Sequence, residues 1–213
     1  MKTAALLLAL LSLSAAAYAA EPERPHWSLE LKGGAFFPGA SDWSTYYGKS
    51  YMAEFGAAAA YKVYRQLEIG VEAGYGTATG KASAPLNGIV TGQVTYEVVP
   101  VGVFLLARGI FSEDQLLVPY AGGGWNRTFY WQRVQNQGNV KGSVNGYYGR
   151  TGLQLLLDGI DRDSSRNLYD DYGIRHSYLF AEGKFSRADA TTVTSGTADL
   201  GGTSWLGGFL FEF

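Results

Sequence analysis

The sequence predicts an all-β chain: an eight-stranded antiparallel up-and-down transmembrane β-barrel with long extracellular loops and short periplasmic turns, one of which has room for a short helix. Three observations predict it. Apolar and polar residues alternate with a period of two in eight successive segments, and the connections between segments are long and short by turns. The third is composition: 29 glycines and only 17% charged residues are poor material for helices and good material for turns and tightly packed strands.

The chain opens with Lys2, an apolar run from Ala4 to Ala17, and Ala17-Tyr18-Ala19 ahead of Glu21-Pro22. That order reads as a signal peptide over residues 1–19, leaving 20–213 as a single barrel domain. The run is shorter than the roughly 20 apolar residues a spanning helix needs. With no cysteine, an exported chain must draw its cohesion from closed hydrogen bonding or a large core. A net charge of −2 without a basic stripe excludes nucleic acid as a partner.

The segments follow in order. Trp27 to Phe37 sets Trp27, Leu29, Leu31 and Ala35 outward against Ser28, Glu30, Lys32 and Gly34. Tyr51 to Tyr61 sets Tyr51, Phe55, Ala57 and Tyr61 against Glu54, Gly56 and Ala58. Leu67 to Thr77 is the cleanest, with Leu67, Ile69, Val71, Ala73 and Tyr75 opposite Glu68, Gly70, Glu72 and Gly74. In Thr95 to Arg108, Val99, Val101, Val103 and Leu105 face out and Arg108 in; Glu97 has outward parity, which calls for a position above the membrane or a bulge. Leu117 to Tyr130 holds Gly122-Gly123-Gly124, and its inward face is ambiguous. Tyr148 to Asp158 sets Leu153, Leu155 and Leu157 against Arg150, Gln154 and Asp158. Ser177 to Phe185 sets Leu179, Ala181 and Phe185 against Glu182 and Lys184. Ser204 to Phe213 sets Trp205, Phe209, Phe211 and Phe213 against Leu206, Gly208, Leu210 and Glu212.

Long polar connections are expected at Pro38 to Ser50, Ala78 to Gly92, Trp131 to Tyr147 and Ser186 to Thr203, and short turns at Lys62 to Gln66 and Gly109 to Leu116. Such asymmetry belongs to outer-membrane barrels. Gly159 to His176 breaks it, and its polar run suits a short helix capped by Asp161 or Asp163 and ended near Gly173.

Alternation also fits a soluble barrel turned inside out, so other features must decide. The polar face is mostly glycine with Glu30, Lys32, Glu54, Glu68, Glu72, Arg108, Arg150, Asp158, Glu182 and Lys184. Those residues are small enough, and mixed enough in sign, to fill and neutralise a narrow lumen. Aromatic residues gather at segment ends, and Trp27, Tyr51, Tyr61, Tyr75, Tyr120 and Trp205 are the expected interfacial girdle. The C-terminal run Trp205 to Phe213, with Gly208, Phe209, Phe211 and Phe213, resembles the terminal signal read by the outer-membrane assembly machinery.

Together with Val118-Pro119-Tyr120-Ala121-Gly122-Gly123-Gly124 and Tyr178-Leu179-Phe180-Ala181-Glu182-Gly183, the chain resembles the small bacterial outer-membrane barrel families of A-type and W-type. The resemblance implies architecture and location in the cell outer membrane, with outer-membrane lipid, lipopolysaccharide and the assembly machinery as partners. It carries no ligand.

Chemistry is sparse. His26 and His176 are the only histidines. His176, Ser177 and Glu182 form the one hydrolase-like set, as a lipid-modifying outer-membrane enzyme would need. Adjacent strand residues face opposite ways, which keeps His176 from Ser177, and the deacylase pattern has one residue between its His and Ser. The reading is therefore a non-enzymatic, monomeric barrel without cofactor or metal, structural or surface-interacting, with a side-chain-filled lumen. A narrow pore or small-ligand uptake barrel is the alternative. The loop stretches Asp42 to Tyr47 and Gln132 to Gly146 are the exposed places where a partner would bind.

Overall fold

Alternation in the first segment becomes β1 (Trp27–Pro38), and the same rule generates β2 (Met52–Tyr64), β3 (Leu67–Ser83), β4 (Val90–Arg108), β5 (Leu117–Val134), β6 (Gly138–Leu156) and β7 (His176–Arg187). A small hairpin of β8 (Asp189–Thr191) and β9 (Thr197–Asp199) precedes the last long strand, β10 (Gly202–Glu212). The computed structural model describes residues 25–40, 43–83, 90–112, 115–134, 138–160, 162–191 and 197–213. The expected signal peptide and Asp161 lie outside them.

Eight strands close in the order β1-β10-β7-β6-β5-β4-β3-β2, every neighbour antiparallel. The β1–β10 seam is continuous from Ser28↔Glu212 to Pro38↔Gly202, so the barrel closes without an open edge at the seam. Outward side chains are apolar and exposed, among them Leu31, Phe55, Val71, Val103, Leu153 and Phe209. Inward ones are buried and set charged side chains such as Glu68, Glu72, Arg108 and Arg150 among Leu106, Tyr120, Phe180 and Leu210. That is the reverse of a soluble barrel and the arrangement a hydrocarbon surrounding demands.

The walls differ in height. β1, β2, β7 and β10 have 11 to 13 residues, close to the 9–11 that cross a bilayer with tilt. β3 to β6 have 17 to 19, and the surplus rises at the end away from the termini. Two expected loops are corrected accordingly. Ala78 to Gly92 and Trp131 to Tyr147 are, among the described residues, largely strand, paired as far as Ser83↔Val90 and Val134↔Gly138. Polar, glycine-rich composition resembles a loop there because those residues stand above the apolar layer, where ladder hydrogen bonds rather than apolar burial hold the strands. Gln132 to Val134 and Gly138 to Gly146 are thus wall, not free loop.

Glu97 needs no bulge. β4 and β5 stay in one register from Val94↔Val134 to Arg108↔Tyr120, and Glu97 sits on the outer face with Arg133 at 3.1 Å and the Tyr75 hydroxyl at 3.2 Å. The first connection is also no open loop: helix α1 (Trp43–Tyr47) folds back over the barrel mouth. It sits so close to β3 that a Cβ at Gly80 would lie 2.2 Å from the Tyr46 carbonyl oxygen. The connector after β6 is helical, as α2 (Arg162–Tyr172). Gly173, at φ 72°, ends it and lets Ile174 N–H donate to the Leu168 carbonyl (3.2 Å). Asp163 lies inside this helix, in its first turn, and is not the cap.

Candidate functional site

Every second residue of the strands faces the lumen, and the closed order sets β7 opposite β3 and β10 opposite β4. Close to the termini, Arg108 Nη1 of β4 donates to Glu68 Oε1 of adjacent β3 (2.9 Å) and to Glu212 of β10 across the whole lumen. Lys62 of β2 reaches Glu212 at 2.6 Å, Ser28 donates to Glu68 at 3.3 Å, and the Tyr178 ring lies 5.1 Å from the guanidinium. Around this layer pack Val118, Leu156, Tyr178, Phe180 and Leu210.

A second layer lies mid-barrel. Lys32 of β1 contacts Glu72 (3.0 Å) and Glu182 (3.4 Å). Arg150 of β6 contacts Glu30 (2.6 Å), Glu72 (3.4 Å) and Glu182 (3.2 Å). Lys184 of β7 bonds Glu72 of β3 across the full width, and the Tyr120 hydroxyl donates to Glu182 at 3.0 Å. The guanidinium of Arg150 stands over the Phe104 ring at 4.6 Å and Lys184 over Tyr148 at 4.4 Å.

Both layers are neutral. Glu68 and Glu212 offset Arg108 and Lys62 in the first, and Glu30, Glu72 and Glu182 offset Lys32, Arg150 and Lys184 in the second. Pairing makes so many buried charges tolerable, since each alone would carry a desolvation cost of several kcal/mol. Two of the contacts, Arg108 to Glu212 and Lys184 to Glu72, are struts between opposite walls.

Above the ions the lumen changes character. Glu54 accepts from Ser204 Oγ at 2.5 Å beside a chamber of about 40 Å³ lined by Met52, Asn126, Thr128 and Lys184. A gap of about 10 Å³ by Lys32 and Glu72 is room for about one water. At the mouth, Trp43 of α1 stacks on Tyr47 at 4.0 Å and meets Tyr96 edge-on at 5.3 Å, over Met52 and Val98. Burial pushes the Tyr47 hydroxyl up to about 12.

Of the charged residues read from sequence as lumen-facing, Glu30, Lys32, Glu68, Glu72, Arg108, Arg150, Glu182 and Lys184 come together in the two layers. Glu54 stands apart, above them. Asp158 is in the turn after β6, where one carboxylate oxygen meets His176 Nδ1 (2.7 Å) and the other accepts Ser177 N–H (3.0 Å). It anchors the start of β7. Sequence reading missed Lys62 and Glu212 as layer members. Glu212 was legible from the parity of its strand, whereas Lys62 was taken for turn because β2 runs on to Tyr64.

Trp27, Tyr51, Tyr61, Tyr75 and Trp205 are exposed on the outer wall. Tyr120 is corrected: it is 4% exposed and points inward to Glu182, because the odd positions of β5 face out, a parity hidden in sequence by Gly122 to Gly124. Phe209 and Phe211 stack outward on β10 (6.5 Å), ahead of Phe213, and Gly208 pairs with Lys32 of β1. Glu182, taken up by Arg150, Lys32 and Tyr120, lies six residues along β7 from His176. The hydrolase-like set is therefore not assembled.

A closed barrel with an apolar exterior and an ionic interior defines the fold of the small eight-stranded outer-membrane barrels. No family model matches the sequence, and no curated protein matches it. Solved structures share its fold. Outer membrane protein OprG from Pseudomonas aeruginosa superposes with a TM-score of 0.59 at 14% identity, over 89% of this chain and 97% of that one. Neisserial surface protein A gives 0.58 at 10% identity, over 88% and 97%. The N-terminal β-barrel domain of Pseudomonas aeruginosa OprF gives 0.50 at 12% identity, over 89% and 98%.

Proposed function

We propose that this chain is an integral protein of the bacterial outer membrane with no enzymatic activity, a closed barrel whose filled lumen gives rigidity and whose far end meets the surroundings. The observation that carries the reading is the pair of struts, Arg108 to Glu212 and Lys184 to Glu72, joining opposite walls at two levels. A barrel of eight strands is just wide enough for its side chains to fill, and here they meet in the middle. The exposed apolar wall and the shared fold support the location. The outward aromatic C-terminal strand supports delivery by the outer-membrane assembly machinery, and lipid and lipopolysaccharide are the partners the wall would meet.

Purified barrel, refolded in detergent, is expected to migrate faster unboiled than boiled and to give no discrete conductance steps in a planar bilayer. Steps that vanish in Arg150→Ala would overturn the filled lumen in favour of a narrow pore. The 40 Å³ chamber under α1 is the observation that keeps a small-ligand barrel as the second reading.

A further inference from the structure

The outer face of the tall wall is not uniform. Counting up β5 from Leu117, the outward residues are apolar or small to Trp125, which stands beside Tyr147 of β6. Arg127 comes next, ten residues above the start of the strand, the height at which a tilted strand leaves the hydrocarbon. Its guanidinium donates twice to Ser143 Oγ (2.9 and 3.2 Å) and lies 5.6 Å from the Phe129 ring. Higher up on the same face are Lys141, opposite Trp131, and Arg133, whose side chain is 63% exposed. Arg187 faces out opposite Tyr147 on the next strand. Glu97 is the only carboxylate on this outer face among the described residues. The outer strand faces of β10, β1 and β2 carry no charged side chain, and beyond them, just before β2, a single lysine, Lys49, stands over the Tyr51 ring at 5.8 Å.

Below Trp125 and Tyr147 the same strands are poor in side chains. Gly123↔Gly149 and Ala121↔Thr151 form a shallow strip, which opens into a trough of about 610 Å³ lined by Ala107, Pro119, Ala121, Thr151 and Leu153. A Cβ at Gly149 would meet nothing nearer than the Gly122 carbonyl oxygen at 3.9 Å, so internal packing does not call for glycine there. Cations at headgroup level over a smooth apolar strip match a ligand with phosphates above and acyl chains below.

We infer that the outer face of β5 and β6 is a binding site for a phosphorylated glycolipid of the outer leaflet, its phosphates on Arg127, Arg133 and Lys141 and an acyl chain along Gly123 and Gly149. The inference rests on the outer-membrane reading above and gives its lipid partner a place. Arginine suits this role because its planar fork binds phosphate with two hydrogen bonds. Two tiers of cations, at Arg127 and at Arg133 with Lys141, suit a headgroup that is phosphorylated and extends away from the membrane. A phospholipid headgroup would engage only the lower tier.

The test is native mass spectrometry of the folded barrel in mild detergent, titrated with diphosphorylated lipid A, dephosphorylated lipid A or phosphatidylglycerol. The diphosphorylated form is expected to bind at least about tenfold more tightly than either of the others. The combined Arg127→Ala, Arg133→Ala and Lys141→Ala variant should remove that preference, and Gly149→Leu should weaken all three lipids alike. Equal binding of the three lipids by the unaltered chain, or an unchanged preference in the triple variant, would overturn the site. The heat shift on a gel separates the two readings. A chain without the shift sinks the outer-membrane barrel itself, whereas a folded barrel indifferent to phosphate sinks only the site.

Discussion

The middle of the lumen and its mouth are built on opposite principles. In the middle, Lys32, Arg150 and Lys184 meet Glu30, Glu72 and Glu182 at contact distance, Lys32 and Arg150 each shared among carboxylates from different strands and Lys184 bound to Glu72. At the mouth, Trp43, Tyr47, Met52, Tyr96 and Val98 pack by shape alone under a five-residue helix. Removing one member of the ionic layer leaves several buried charges unpaired, whereas removing one ring at the mouth leaves neighbours that can shift. The difference teaches where the barrel is rigid. Its ion-paired girth is over-determined, and its cap rests on one short helix held against a glycine.

The comparison is tested most severely by Arg150→Ala, which leaves Glu30, Glu72 and Glu182 with too few cations. Breaking a buried ion network in this way costs about 3–5 kcal/mol, to be read as a lower urea midpoint for unfolding of the refolded barrel. A loss below about 1 kcal/mol would show the layer to be well hydrated and the strut argument mistaken.

A smaller effect is expected from Gly80→Leu, because its side chain would occupy the place of the Tyr46 backbone. The cap should lift, with exposure of Trp43 seen as a red-shifted tryptophan emission, at a cost of about 1–3 kcal/mol. The ionic layers should keep their heat resistance. An unshifted spectrum would mean that α1 is held by contacts other than its seat on β3.

The smallest effect concerns pH. Tyr47 has its hydroxyl raised from 10.0 to about 12 by burial, so the unfolded chain loses this proton at lower pH than the folded one. The cap's share of stability from this group is full below pH 10 and declines as pH rises to about 12. Tyr47→Phe should flatten that decline in the Trp43 emission between pH 10 and 12. An identical profile in the variant would assign the alkaline loosening to another group.

Legibility in the sequence followed the physics of the surroundings. Leu67 to Tyr75 was readable because hydrocarbon on one side and a crowded lumen on the other force strict alternation. Where the strands of the tall wall leave that layer, as at Ala78 or Gln132, nothing forces apolar choice outward, and extended strand reads as loop. Tyr120 was misplaced because Gly122 to Gly124 carries no facing information, and Trp43 read as an exposed loop residue because burial by a short helix leaves no periodic trace.

By itself the sequence determined the number of strands that close the barrel, the inward and outward faces of most of them, and most of the lumen charges, all consequences of a period-two rule acting on neighbours along the chain, but not the β8–β9 hairpin inside the expected loop Ser186 to Thr203. Only the tertiary structure decided which charges meet. Arg108 with Glu212 and Lys184 with Glu72 pair across the barrel, and such distances depend on closure and on the register of every strand between them, information that no single segment contains.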